Sequence, residues 1–348
     1  MCDSKYLIDE SLSILDALRK LNSFSKNEAL TLFVIDAEGR VRGSLTDGDI
    51  RRKLVEGVLL SSPLNQIMHR DFLYLDANRI LVPDIHRFKE KGIVLVPILD
   101  EEKRIVDVLN LKQQKSLLPI DAVLMAGGKG ERLRPLTERT PKPLLKVGDK
   151  SIIDYNIDRL INFGVKHISV TVNYLREQIE EHFAEKRAGI QVRCVREPQF
   201  LGTIGSVKFV EEFHNDTVLI MNSDLFTNID FEDFYLHFKE HNADMAVAAV
   251  PYSVSVPYGI FELEGRNIEG VCEKPIYNYY ANGGIYLIKR ELLEEIPDNS
   301  FFNATDFMEM LVCEKKNVIR FPLTGYWIDI GKHEDYQRAQ EIVKHLQL

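Results

Sequence analysis

Cysteine is scarce in this 348-residue sequence, which has only Cys2, Cys194, Cys272 and Cys313, and no two of them form a CxxC pair. That spacing excludes a zinc knuckle and a disulfide framework, and a reducing, cytoplasmic compartment is expected. Basic charge is not in excess either. The formal net charge is −9, so a general nucleic-acid binder is excluded and small-molecule partners are favoured. No apolar run approaches the length that spans a bilayer, and the N-terminal MCDSKYLIDESL has no basic segment followed by an apolar one. Neither membrane anchoring nor export is therefore expected. Two familiar phosphate loops are missing as well. The P-loop GxxxxGK[ST] fails because Arg132 stands five residues after Gly127, and the GxGxxG pattern fails because Leu133 occupies its third glycine.

What is present centres on Leu124 to Leu145, LMAGGKGERLRPLTERTPKPLL. Ile120 to Ala126 is a mostly apolar run of strand length, and it delivers Gly127, Gly128 and Gly130, where the absence of Cβ lets backbone N–H groups approach an anion. Arg132, Arg134 and Lys142 add positive charge behind the loop. A solvated glycine-rich turn would account for a lone GG, but not for PLT and PKPL at fixed distances behind it.

The string GGxGxRLxPLT followed by PKPL resembles the sugar-1-phosphate nucleotidylyltransferases, which join a nucleoside triphosphate to a sugar phosphate and release pyrophosphate. The resemblance implies a nucleotide cradle at Ala126, Gly127, Gly128 and Gly130, with Arg132 on the triphosphate and Lys142 on the reacting phosphates. From Pro119 onward strands and helices alternate, which predicts an α/β fold with a Rossmann-like, mostly parallel sheet and ligands beyond its carboxyl ends. After the third strand, REPQFLGTIGSV places Gly202, Thr203 and Gly205 before a helix expected to include Val207 and Val210. In the resembled family this segment lies against the base, and its form here is similar to the mannose-1-phosphate guanylyltransferases, so GTP is the favoured triphosphate. A tight turn capping a helix would explain the same glycines.

Two aspartates follow strands: Asp224 after Thr217–Met221, and Asp329 in WIDIG. The resemblance makes them the magnesium ligands, and two carboxylates without histidine suit that hard cation better than zinc. In VCEKP, Glu273 is implied on sugar hydroxyls and Lys274 on the sugar phosphate, while Asn282 and Gly283 open a strand beside the sugar ring. Phe302–Phe307, with Asn303, Thr305 and Asp306, is expected to begin a helix closing the sugar side. Glu334–Gln347 reads as a final helix, with no hexapeptide repeat after it. No Ser-His-Asp or Cys-His arrangement accompanies these motifs, consistent with a nucleophile that is already an anion.

Residues 1–118 contain a repeat, in copies of about 1–64 and 65–118, ahead of a catalytic domain at 119–348. FVIDAEGRVRGSLTDGDIRR overlays VPILDEEKRIVDVLNLKQQK, with Asp36 on Asp100 and Arg40 on Arg104. Each copy is expected to read helix, strand, turn, strand, helix, with Ile14, Leu15, Leu18 and Leu21 on one amphipathic face and Ile80, Leu81, Ile85 and Phe88 on the other. The last helix of the second copy is expected to end near Lys115–Leu118. This architecture resembles a tandem CBS-domain pair, a module that binds adenine nucleotides in its family. Gly43, Thr46 and Asp49 match that family's ribose-contacting pattern, whereas Asp107, Asn110 and Gln113 in the second copy do not. One regulatory nucleotide site, or a purely packing role, is implied.

A CBS pair ahead of this fold resembles the glucosamine-1-phosphate guanylyltransferases of legionaminic acid biosynthesis, with glucosamine-1-phosphate or another hexose-1-phosphate as acceptor and a homo-oligomeric assembly expected. A mannose-1-phosphate guanylyltransferase, a uridylyl- or thymidylyltransferase on a hexose-1-phosphate, a choline- or alditol-phosphate transferase, and a catalytically silent nucleotide sensor are the competing readings.

Overall fold

A computed structural model describes residues 4–26 and 28–345; Cys2 and the last residues of the expected final helix, including Gln347, lie outside the described residues. The chain divides into two compact units, Met1–Leu117 and Leu118–Leu348.

The first unit is built twice over. Its first half runs β1 (Leu7–Asp9), α1 (Ile14–Asn22), β2 (Thr31–Ile35), β3 (Val41–Thr46) and α2 (Asp47–Val55). The second runs β4 (Leu75–Asp76), α3 (Val82–Glu90), β5 (Leu95–Leu99) and β6 (Ile105–Asn110). Each half is a three-stranded sheet, β1-β2-β3 and β4-β5-β6, with one parallel and one antiparallel pairing. The matched residues Arg40 and Arg104 pair with each other in an antiparallel bridge, as a pseudo-two-fold between duplicated units requires. Phe33 and Val41 from one half and Leu95 and Leu99 from the other share a single apolar cluster. Neither half alone would bury that surface.

Three expectations for this unit are corrected. The second half has no closing helix, only a turn after β6. At that position Asn110 and Gln113 replace the Thr46–Asp49 capping box that starts α2, and Pro119 would cut a helix short. Ile80 and Leu81 precede α3, whose start is set by Pro83 in its first turn, so its inner face is Val82, Ile85 and Phe88. In α1 the buried residues are Ile14, Ala17 and Leu21, while Leu15 is exposed.

The second unit opens with β7 (Asp121–Met125), a short hairpin of β8 (Lys146–Val147) and β9 (Lys150–Ser151), then α4 (Ile152–Asn162), β10 (His167–Val172), α5 (Arg176–His182) and β11 (Val192–Arg196). It continues through β12 (Thr217–Asn222), β13 (Leu225–Thr227), α6 (Phe231–Glu240), β14 (Met245–Ser255), β15 (Ile260–Glu264), β16 (Asn267–Cys272) and β17 (Ile276–Lys289). The last elements are α7 (Ala304–Cys313), β18 (Val318–Pro322), β19 (Trp327–Asp329) and α8 (His333–His345).

Its main sheet has the order β11-β10-β7-β12-β17-β14-β18. All neighbours are parallel except at β17, which runs antiparallel to both β12 and β14. The reversal of order beside β7 makes its carboxyl end a topological switch point, where a ligand crevice is expected. The helix expected over Val207 and Val210 is instead a five-residue 3-10 turn, Gly205–Phe209. A starting glycine followed by Val207 and Phe209 gives it little α-helical propensity.

Candidate functional site

Beyond the carboxyl ends of β7 and β12 lies a cavity of about 610 Å³. The glycine loop, Arg132, Lys142, Gly202 and Asp224 all line it. The loop's spacing has a mechanical cause. Gly130 sits at φ 62°, and a Cβ there would stand 3.0 Å from Thr137 Cγ2 and 3.1 Å from Lys142 Cβ. Thr137 Oγ1 also donates to the Gly130 carbonyl at 2.8 Å. The PLT threonine and the PKP lysine are thus the two walls between which the loop closes. Gly130→Ala should strain this left-handed position by about 1–3 kcal/mol and push the Lys142 stem aside. The expected result is a melting temperature lower by several degrees and turnover reduced more than about tenfold, checked by thermal unfolding beside a turnover assay.

Lys142 is 9% exposed. Its ammonium pairs with the Asp224 carboxylate and lies 3.9 Å from Asp329 Oδ1. The two aspartates, distant in sequence, meet because β13 pairs antiparallel with β19 and sets Leu225 opposite Asp329. Phe226, Ile328, Leu133 and Ile152 form an apolar cluster under this strand pair, so packing holds the carboxylates in place. Burial and the neighbouring Asp224 raise the Asp329 pKa, against the opposing pull of Lys142 and Arg132. Asp224 Oδ1 is buried and accepts no hydrogen bond. An orphaned hard oxygen beside a second carboxylate fits a magnesium ion that keeps water and phosphate as its other ligands. Among the described residues no cluster of three or more His, Cys, Asp or Glu could hold a metal by itself.

A packing constraint acts on the LGTIG glycines as well. A Cβ at Gly202 would meet the Phe302 carbonyl oxygen at 2.5 Å, and one at Gly205 would meet the Ser300 carbonyl oxygen at 2.7 Å. Close packing of two backbones requires both glycines, while Gly202 also lines the cavity. Thr203 Oγ1 accepts from Ala304 N at 2.9 Å and ties the segment to the start of α7. Two residues of the same stretch passed unrecognised. Glu197 is only 3% exposed and lines the cavity; its Oε2 has no partner, and burial raises its pKa. A Cβ at Gly127 would stand 2.2 Å from Glu197 Oε1, so this carboxyl is the reason for the first loop glycine. Phe200 is 51% exposed at the same cavity. A carboxylate at a strand's end, four residues ahead of LGT, is the signal the sequence offers for Glu197; nothing in it marks Phe200.

A second cavity of about 260 Å³ adjoins the first and shares Thr203 and Asn222 with it. Asn282, Gly283, Asn303, Thr305 and Asp329 line it. Gly283 lies in a bulge of β17 opposite Ala248, where a Cβ would meet the Ala248 carbonyl oxygen at 2.7 Å, and Trp327 Nε1 donates to the Gly283 carbonyl at 2.9 Å. Asp306 is engaged in the capping box of α7 with Asn303. Glu273 and Lys274 are not brought here: both are exposed, at the junction of β16 and β17, and line neither cavity. In the first unit, Thr46 and Asp49 form the reciprocal cap of α2, with Arg52 on Asp49, while Gly43 lets the His69 backbone approach.

The sequence profile of the nucleotidyl transferase family matches residues 121–345. The chain belongs to the nucleotidyl transferase family. A CBS-domain profile matches residues 2–56, ahead of the nucleotidyl transferase match. Its curated relatives include mannose-1-phosphate guanyltransferase beta-B of Xenopus laevis, 29% identical over 62% of this chain and 62% of that protein. Mannose-1-phosphate guanyltransferase of Saccharomyces cerevisiae is 30% identical over 62% of each. The chain thus spans less than two thirds of the length of these relatives. HddC from Yersinia pseudotuberculosis, 24% identical, superposes with a TM-score of 0.52 over 64% of this chain and 99% of its own, which supports the nucleotidyl transferase fold. No helix among the described residues is long and apolar enough to cross a membrane.

Proposed function

We propose that the chain transfers a guanylyl group from GTP to a hexose-1-phosphate, glucosamine-1-phosphate in the first instance, in the cytoplasm. The observation that carries the reading is Lys142 set between Asp224 and Asp329 at the rim of the glycine loop. A phosphate oxygen of the sugar attacks the α-phosphorus in line, the bond to the bridging oxygen breaks, and pyrophosphate leaves with that electron pair. The attacking oxygen is already anionic, so no side-chain base is needed; the residues must align two anions and offset charge on the leaving group. Loop N–H groups and Arg132 hold the triphosphate, and Lys142 bears on the reacting phosphates. Magnesium on Asp224 and Asp329 would offset phosphate charge when bound.

Base choice is supported by Glu197. Guanine presents N1–H and N2–H donors that one buried carboxylate can accept together, whereas adenine offers an acceptor at N1 and would leave it unpaired. Phe200 offers a ring on which the base can stack. Pyrophosphate release over a matrix of four triphosphates and several sugar-1-phosphates tests this. GTP should exceed the others by at least about tenfold in kcat/KM, and Glu197→Gln should erase most of that margin. A clear UTP or dTTP preference would place the chain among uridylyl- or thymidylyltransferases instead. For the first unit we propose an adenine nucleotide at Thr46 and Asp49, on the strength of the CBS match alone.

A further inference from the structure

Asp224 stands in a turn, with Ser223, between the end of β12 and the start of β13. Its Oδ1 accepts no hydrogen bond. Apart from the Lys142 ion pair, the direction of this carboxylate is therefore set by the backbone from which it springs. Three sets of contacts hold that backbone. Ser223 N and Oγ both donate to the Met125 carbonyl of β7, at 3.2 and 2.7 Å. Ile330 N donates to the Asp224 carbonyl at 3.3 Å. The carbonyls on either side of Asp224, those of Ser223 and Leu225, both accept from a single side-chain nitrogen, Nδ2 of Asn156, at 3.4 and 2.9 Å.

Asn156 lies in α4, which packs against β13, and it is 1% exposed. Asparagine is a poor helix former, and a buried amide is costly unless its donors are met. Ile152, Ile153, Ile157 and Leu160 are the buried apolar residues around it on this helix. A leucine at 156 would suit the same packing with a better helix propensity. What the amide adds is two N–H groups. Both of its partners are carbonyls and can only accept, so the nitrogen must face the turn. Asn156 lines neither cavity, and it meets the site only through the residues flanking Asp224.

We propose that Asn156 is a positioning residue for the metal carboxylate. By holding the carbonyls on both sides of Asp224, its amide fixes the turn that presents this side chain, and so sets the affinity for a divalent cation without touching either substrate. Groups that orient a metal's ligands from behind carry affinity in this way. The role rests on the nucleotidyl-transfer reading above.

The test compares two substitutions on one helix of the full-length chain. Asn156→Leu is close in shape and removes both donors. Tyr155→Phe removes a buried donor that serves the Val147 carbonyl at 2.7 Å and leaves the Asp224 turn alone. Both should lower the melting temperature by a few degrees. Only Asn156→Leu should weaken the metal. Mn2+ binding to the unliganded protein, followed by electron paramagnetic resonance, gives a readout independent of turnover, and the site's share of it is the fraction lost in Asp224→Asn. For that fraction the apparent Kd should rise at least about tenfold in Asn156→Leu, with a matching rise in half-saturating magnesium for pyrophosphate release. The ratio of kcat/KM for GTP over ATP should stay within about twofold, since base choice is made elsewhere. Asn156→Ser leaves room for water to serve the two carbonyls, which spares the fold, and should weaken Mn2+ in the same direction.

Unchanged Mn2+ affinity in both Asn156 variants, or an equal loss in Tyr155→Phe, overturns the proposal, because the amide would then only satisfy buried carbonyls. A wild-type chain with no Mn2+ fraction that depends on Asp224 overturns it too. Mn2+ binding that weakens with Asn156, in a protein that releases no pyrophosphate from any substrate pair, refutes the transferase reading while upholding the positioning role.

Discussion

Asp224→Asn is expected to lower magnesium-dependent turnover by about a thousandfold or more, since a metal's charge stabilisation is worth several kcal/mol. Asp224 offers the metal an orphaned Oδ1 while its other oxygen meets Lys142. An amide would present an N–H where that ammonium already donates, and would remove the charge that draws the cation. The fold should survive, because Phe226 and Ile328 do the packing beneath this position. Turnover measured across a magnesium titration, with a thermal melt as control, separates the two effects. Near-normal turnover at ordinary magnesium levels would remove Asp224 from the site.

The second large effect is expected at Lys142. Lys142→Ala should cost about a hundred- to a thousandfold in turnover, while Lys129→Ala should cost less than about tenfold. Lys129 lines the same cavity but is exposed on the loop, whereas Lys142 is buried and aimed between two carboxylates. Removing the buried charge also leaves Asp224 and Asp329 facing each other without a counter-ion, and like charges at close quarters resist joint ionisation. The contrast is the measurement. Equal losses would mean that the loop acts through a diffuse positive field, and that no single lysine is positioned for the reaction.

Much of the site was legible because its residues follow strands within single motifs. The glycine loop, Lys142, Gly202, Thr203 and Asp224 could each be placed at the sheet's carboxyl end from local pattern, and the structure gathers them around one cavity. The repeat was equally visible, since Arg40 and Arg104 keep one offset and meet in space. What local pattern could not give was what fills the space around a glycine. Gly202 and Gly205 are required by the backbone of Ser300 and Phe302, nearly a hundred positions downstream, and Gly127 by the carboxyl of Glu197. The missing helix of the second repeat had a local cause, the loss of a capping box, but the repeat alignment obscured it. The exposed placement of Glu273 and Lys274 was invisible too, because a motif says which residues travel together and not where a long ribbon carries them.

The pairing of β13 with β19 has a consequence for how the protein is made. Leu225 finds Asp329 only after the segment holding β19 has been synthesised, and contacts of such sequence separation form late because a long loop must first close. Helix α8 then secures the junction, with Tyr336 and Gln340 both donating to the Lys146 carbonyl. A nascent chain can therefore assemble its glycine loop and much of its sheet on the ribosome while still lacking the partner of Asp224. Competence for chemistry arrives in one step once β19 has emerged, so products of this domain truncated ahead of β19 would be expected to be inert rather than partly active.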